Sequence, residues 1–256
     1  MLIYILVFIL GSSIASFLNV VAKSVPIKQN WWSRRSACPH CQTILTPLQL
    51  FPILSFLAQV GRCKTCRTKI SPIYLLTEII GGLLFILPFV FLPTPTTYLI
   101  LTWVFFSLLL TVTLTDLYYG LIPNKILIGF GIPILLILIQ LNIATSTAQY
   151  PSVNQNPLLL VLPNIAAAIV GFLFFTGTTL LGKVLFKKET IGGGDIKLYL
   201  VTGLVLGVQS LLLSIAISSI VALVYVLVFV RNKNKPIPFA PFIALGTIIA
   251  YILSFQ

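Results

Sequence analysis

Acidic residues are almost missing from this chain: Glu78, Asp116, Glu189 and Asp195 are the only four in 256 residues, against 16 Lys and Arg. Charged residues of both signs make up 8% of the sequence and hydrophobic ones 58%, which excludes a soluble globular enzyme. Histidine occurs once, as His40, so a Ser-His-Asp or Cys-His arrangement has no base available in the apolar part of the chain. The phosphate-cradling pattern G-x-x-x-x-G-K-[ST] is absent. Neither a low-complexity tract nor an internal repeat beyond one helix after another is visible. Basic residues are also missing ahead of the first apolar run, residues 2–22, and appear only after it at Lys23, Lys28, Arg34 and Arg35. That is the reverse of a secretory signal, so the run is expected to be a retained transmembrane helix with its N-terminus outside.

What the chain has in abundance is long apolar runs, each near the length a membrane-spanning helix needs, and a mean hydropathy of +1.09. Together they mark an integral membrane protein. Eight transmembrane helices are predicted, over residues 2–22, 73–92, 97–116, 121–141, 157–182, 194–207, 208–230 and 238–255. Residues 23–72 read as the one sizeable polar segment, and 73–256 as a polytopic membrane domain. Alternating the spans puts residues 23–72, 117–120, 183–193 and 231–237 on the cytoplasmic side. All 16 Lys and Arg fall in or close to those segments, whereas the outer connections, including a polar loop over Asn142–Asn156, carry none. Basic residues bias loops toward the cytoplasm, so the net charge of +12 reads as a topology signal with membrane lipid as partner. Scattered between spans, it is no nucleic-acid surface.

Cys38-Pro39-His40-Cys41 and Cys63-Lys64-Thr65-Cys66 are two C-x-x-C knuckles, the second opening well after the first has closed. That spacing suits four thiolates closing on one zinc ion; two disulfides and four free thiols are the alternatives, the former disfavoured in a reducing cytoplasm. Four cysteine ligands leave no position for water, so such a zinc is structural. His40 is then a spacer between ligands or their neighbour.

The remaining chemistry is that of carboxylates. Asp116 stands near the end of an apolar run, where burial costs up to about 2.5–3.5 kcal/mol at a bilayer centre and the dipole of its own helix opposes negative charge. The bland alternative is an aspartate facing lipid headgroups. Asp195 follows Gly192, Gly193 and Gly194 at the start of another span; it can be a plain helix cap, but three glycines also bare the backbone for close approach by a substrate chain or a neighbouring helix. Two aspartates at one membrane depth can share a site, one protonated and one ionised, which is aspartic-protease chemistry. The helix start favours ionised Asp195 and leaves Asp116 as the protonated partner.

In this order, the motifs resemble the type 4 prepilin peptidase family, membrane aspartic enzymes of the G-x-G-D class. Ala15-Ser16-Phe17-Leu18-Asn19-Val20 is similar to its first-helix signature, Arg35–Cys41 and Gly61–Cys66 to its zinc loop, and Tyr74–Glu78 to the start of its second helix. Asp116–Asn124 and Glu189–Lys197 resemble the two catalytic motifs, and Pro238-Phe239-Ala240-Pro241-Phe242 the approach to the last helix. Ala15, Ser24, Leu75 and Ala240 depart from the family residues. The resemblance implies an endopeptidase that cuts the basic leader of type IV pilin-like precursors after a glycine, at the cytoplasmic face of the bacterial inner membrane. It implies Asp116 and Asp195 as the catalytic pair, and Gly192, Gly194, Glu189, Lys197 and Glu78 as supporting or substrate-binding residues. Many members also methylate the new N-terminus with S-adenosylmethionine. Two rivals come from other classes: a proton- or cation-coupled transporter using Asp116 and Asp195, and a non-catalytic scaffold for pilus or secretion assembly.

Overall fold

The computed structural model describes residues 1–30, 35–91, 96–149, 157–186, 192–230 and 237–255. Glu189, and the basic residues Arg34, Lys187, Lys188, Arg231, Lys233 and Lys235 used to orient the spans, lie outside them. The described chain is built of helices and divides into two compact units, Met1–Phe91 and Leu92–Gln256. Six of its helices are long and apolar enough to cross a membrane, so this is a multi-pass integral membrane protein.

In the first unit, α1 (Leu2–Ser24) packs along α3 (Pro72–Phe91), with a 3₁₀ turn (Pro47–Leu50) and the short α2 (Leu54–Ala58) between them in sequence. Small residues set the contact. A Cβ added at Gly11 would stand 2.7 Å from the Gly81 carbonyl oxygen, and one at Gly81 would collide with the Ala15 side chain. Without a hydrophobic effect between helices in lipid, such close backbone approach is the main source of attraction. It also explains how a buried alanine is accommodated at position 15: the facing residue is glycine. Toward the loop the seam turns polar, with Asn19 Nδ2 donating to Thr77 Oγ1 at 3.1 Å and the Lys23 ammonium donating to the Tyr74 hydroxyl.

The second unit contains α4 (Thr96–Tyr119), α5 (Asn124–Gln149), α6 (Pro157–Phe186), α7 (Gly193–Phe229) and α8 (Ala240–Leu253). Its seams again use small residues: Gly203 of α7 rests on the backbone of Ala167 and Ala168, and Gly246 of α8 on that of Ser214 and Ser218. Thr102 and Tyr251 share a buried hydrogen bond of 2.7 Å between α4 and α8. Tyr199 stacks on Phe175 at 4.0 Å; its buried hydroxyl neighbours Ser218 without forming a hydrogen bond to it.

Helix α7 is continuous in name only. At Gly207 the backbone takes φ 71° and ψ 174°, a conformation open chiefly to glycine. Tyr199 and Leu211 would lie about 18 Å apart on a straight helix, yet atoms of both come within 4 Å of a Cβ built on Gly171 of α6. The chain therefore doubles back, and the predicted spans 194–207 and 208–230 are its two arms. The break strands the Leu204 carbonyl, which the Asn164 amide satisfies at 2.8 Å, as buried backbone in a membrane requires. Three sequence readings need correction. The loop expected over Asn142–Asn156 is helical as far as Gln149, because no proline or glycine interrupts the run. The span placed at 121–141 starts at Asn124 instead, after Pro123. The two cysteine knuckles also form a local repeat, missed in the sequence.

Candidate active site and metal centre

The two cysteine knuckles are copies of one turn. Cys38 N–H donates to Thr43 O at 3.0 Å and Cys63 N–H to Thr68 O at 2.9 Å; antiparallel bridges pair Ala37 with Ile44 and Arg62 with Lys69. Gln42 and Arg67 both take positive φ, 58° and 55°. The signal was the pattern C-x-x-C-x-T, present at Cys38–Thr43 and Cys63–Thr68 but too short to register as a repeat. Both threonines were missed: Thr43 Oγ1 lies 3.2 Å from Cys41 Sγ, and Thr68 Oγ1 2.9 Å from Cys66 Sγ.

The four sulfurs lie within 4.8 Å of one another, with Cys38–Cys66 at 3.8 Å and Cys41–Cys63 at 3.9 Å. A tetrahedral zinc with Zn–S bonds of about 2.3 Å sets sulfur–sulfur edges of about 3.8 Å. The cluster can therefore hold a metal ion of that kind, and no disulfide joins these cysteines. His40 is exposed and outside the cluster.

Glu78 sits in the same unit, buried within α3. Its carboxylate accepts the Ile53 N–H at 2.7 Å, at the point where Ile53 takes φ 62° to start α2. It thus ties the stretch between the knuckles to α3.

The other two described acids lie in the second unit, at the end where α4 finishes and α5, α7 and α8 begin. Asp116 is 8% exposed. Gly120, at φ 64°, closes α4 by donating its N–H to the Asp116 carbonyl at 2.8 Å, an ordinary left-handed stop. The side chain points elsewhere: Asp116 Oδ2 accepts the Ala240 N–H at 2.9 Å, in the first turn of α8. The dipole of α4 opposes charge here, but that of α8 favours it. Asp195, half-buried, occupies the first turn of α7. Both carboxylates thus have a helix N-terminus, so helix dipoles give no ground for assigning the proton to Asp116. The alanine at a family glycine position, Ala240, keeps the one group used, its N–H.

Two contacts join the motifs. A Cβ at Gly194 would lie 2.8 Å from Cβ of Ile122, so only glycine lets the start of α7 approach the α4–α5 connection this closely. Lys197 Nζ donates to Asn124 Oδ1 at 3.0 Å. Gly192 lies over Asp195, where a Cβ would be 3.2 Å from Oδ2, whereas Gly193 faces open space. Asp116 and Asp195 are near enough to interact electrostatically. Between α5 and α7 runs a groove of about 380 Å³ with Asn124 and Lys197 in its wall and aliphatic residues elsewhere. A second cavity, about 150 Å³ and bounded by Tyr98, Asn142, Asn164 and Ser254, lies at the opposite helix ends.

Fold and site define a multi-pass helical membrane protein with a four-cysteine cluster able to hold a metal ion in one unit and a pair of facing acidic motifs in the other. Residues 9–92 match the model of the bacterial peptidase A24 N-terminal domain, and residues 103–227 that of the type IV leader peptidase family. A prepilin leader peptidase/N-methyltransferase of Bacillus subtilis is 36% identical, over 96% of this chain and 93% of its own. One from Aeromonas salmonicida is 30% identical over 96% and 89%. A type 4 prepilin-like proteins leader peptide-processing enzyme of Escherichia coli is 28% identical over 95% and 91%. No solved structure matches the chain. The chain belongs to the type IV leader peptidase family and is a peptidase.

Proposed function

We propose that this protein is an aspartic endopeptidase that removes the basic leader from type IV pilin-like precursors, cutting after a glycine, with Asp116 and Asp195 as its catalytic pair. The observation that carries this reading is the convergence of the two acidic motifs, distant in sequence, at one end of the second unit. The one-sided distribution of Lys and Arg supports placing that end at the cytoplasmic face of the bacterial inner membrane, with the N-terminus outside.

In the mechanism, one carboxyl of the pair is protonated and the other ionised. The ionised one takes a proton from water as the water oxygen attacks the scissile carbonyl carbon; the protonated one gives its proton to the carbonyl oxygen. As the tetrahedral intermediate collapses, that oxygen returns its proton, the C–N bond breaks, and the departing amine takes the proton that water gave up. The Ala240 N–H holds Asp116 in place. Glu189, Gly192, Gly194 and Lys197 support the pair or contact the substrate. Cys38, Cys41, Cys63 and Cys66 hold a structural zinc, which joins two short turns that bury little of their own surface. S-adenosylmethionine is a cation at its sulfonium. Neither of these two cavities is lined by a carboxylate, and Lys197 borders the larger, so neither fits it.

The test is cleavage of a pilin-like precursor by the full chain in membranes. Asp116→Asn and Asp195→Asn should each lower the rate by about 10²–10⁴-fold. A wild-type rate from either variant rejects the pair.

A further inference from the structure

Residues 42–61, between the knuckles, contain no charged residue, and more than half of them are hydrophobic. The reading of 23–72 as one polar segment averages this centre with its basic flanks. Its apolar side chains are not buried: Leu48 and Val60 are 84% and 82% exposed, Leu54 and Leu57 60% and 59%, and Leu50 and Phe51 are exposed as well. The inner face of α2 is otherwise engaged, Phe56 lying against Gly61. Outside a membrane so many exposed leucines on so short a stretch would be an association hazard.

The hydrogen bond from Ile53 to Glu78 gives this stretch its level. Glu78 lies six residues inside α3, about 9 Å along the helix from Pro72, so the start of α2 sits beside the first turns of a membrane-spanning helix. The links from Asn19 to Thr77 and from Lys23 to Tyr74 bring the end of α1 to the same level. Residues 23–72 carry eight Lys and Arg and no acid, and Arg62, Lys64, Arg67 and Lys69 sit, all exposed, at or beside the second knuckle.

We propose that residues 47–60 are an interfacial anchor: they lie along the membrane surface with their leucines and Phe51 at the headgroup–acyl boundary, while the basic knuckle residues meet anionic phospholipid. Apolar area at that depth with cationic flanks is the combination that binds acidic bilayers. The metal-holding knuckles frame the anchor at both ends.

The test places a benzophenone amino acid at position 54 of the full chain, reconstituted in phosphatidylcholine nanodiscs with or without phosphatidylglycerol. The expected product is a lipid adduct, its yield rising about threefold with phosphatidylglycerol and falling with salt. With the probe moved to position 51, Leu54→Glu plus Leu57→Glu should cut the adduct about fivefold without changing metal content, because both leucines are exposed. A principal adduct to protein, whether this chain, a second copy or a precursor, overturns the proposal. So does the absence of any adduct, or a yield indifferent to phosphatidylglycerol.

Discussion

The two units build their polar centres in opposite ways. In the first, four cysteines come from two short turns, each closed by its own backbone hydrogen bonds, so the geometry is local and repeated. In the second, two carboxylates distant in sequence are brought together by four helix ends, held by one glycine contact, one lysine–asparagine bond and a backbone N–H from a third helix. A local centre can be lost or restored by itself; a dispersed one is a property of the whole unit. The helices that carry Asp195 and Ala240 add to this. The arm from Gly193 to the break at Gly207 and the short α8 are each about 21 Å long, short of a hydrocarbon core of about 30 Å. With Asp116 and Asp195 as the proposed catalytic pair, an active site on these N-termini would sit recessed, where water must come to it.

Metal removal is the largest expected break in the comparison. Structural zinc contributes about 10 kcal/mol to small thiolate domains, so chelation should open residues 35–71 to protease while the thermal transition of the second unit stays in place. Loss of both together would show that the units are not separate. Acid should do the same. The Cys41 thiol is pulled from 9.0 to about 6, first by the Thr43 hydroxyl and next by the Thr43 N–H. A lowered value means that the stabilisation is complete above the unfolded value and is lost as pH falls through about 6. Protonation of the thiolates should release the metal on acidification, below that pH because a bound ion itself keeps them deprotonated, and Thr43→Val should move the release midpoint upward by less than about one pH unit, read by metal-indicator titration.

Next in size is Gly194. A Cβ there meets the Cβ of Ile122 at 2.8 Å, so Gly194→Ala should cost about 1–3 kcal/mol and slow cleavage, with Ile122→Gly, which removes that Cβ, restoring part of both. Gly193→Ala enters open space and should be neutral or stabilising by up to about 1 kcal/mol. Equal effects at the two positions would mean that the motif serves flexibility rather than close approach.

These contrasts also mark what could be read in the sequence. The clustering of the four cysteines was legible because C-x-x-C spacing is itself the geometry, and the acids because carboxylates are so scarce in this chain. The turn at Gly207 was visible as the boundary between the predicted spans 194–207 and 208–230. The donor from Ala240 was not legible, since a backbone N–H belongs to every residue type and only the fold aims it. The same holds for Ile53 on Glu78. Asp116 was weighed against the dipole of its own helix, because the helix that points at it starts far along the chain, at Ala240.

The Lys197–Asn124 bond tests the dispersed centre at a finer grain. It is exposed, so its contribution to stability should be at the low end of about 0.5–1.5 kcal/mol. Its effect on cleavage can be larger if it sets the spacing of the aspartates. Lys197→Met and Asn124→Leu should then lower kcat about three- to tenfold with little change in KM. The exchanged pair, Lys197→Asn with Asn124→Lys, should recover part of the loss. A rise in KM alone would make Lys197 a substrate contact.

The smallest effect is expected at Tyr199, one turn beyond Asp195 and fully buried. Its ring stacks on Phe175, but its hydroxyl is desolvated without a hydrogen bond in return. An unmade bond of that kind costs about 1–3 kcal/mol, part of which neighbouring hydroxyls recover. Tyr199→Phe keeps the stack and removes the cost, so the variant should unfold at the same temperature or a few degrees higher. A lower unfolding temperature would mean that the hydroxyl has a partner after all, Ser218 being a neighbour, and Ser218→Ala would then reproduce the loss. Slower cleavage at unchanged stability would instead extend the dispersed centre one helical turn below Asp195.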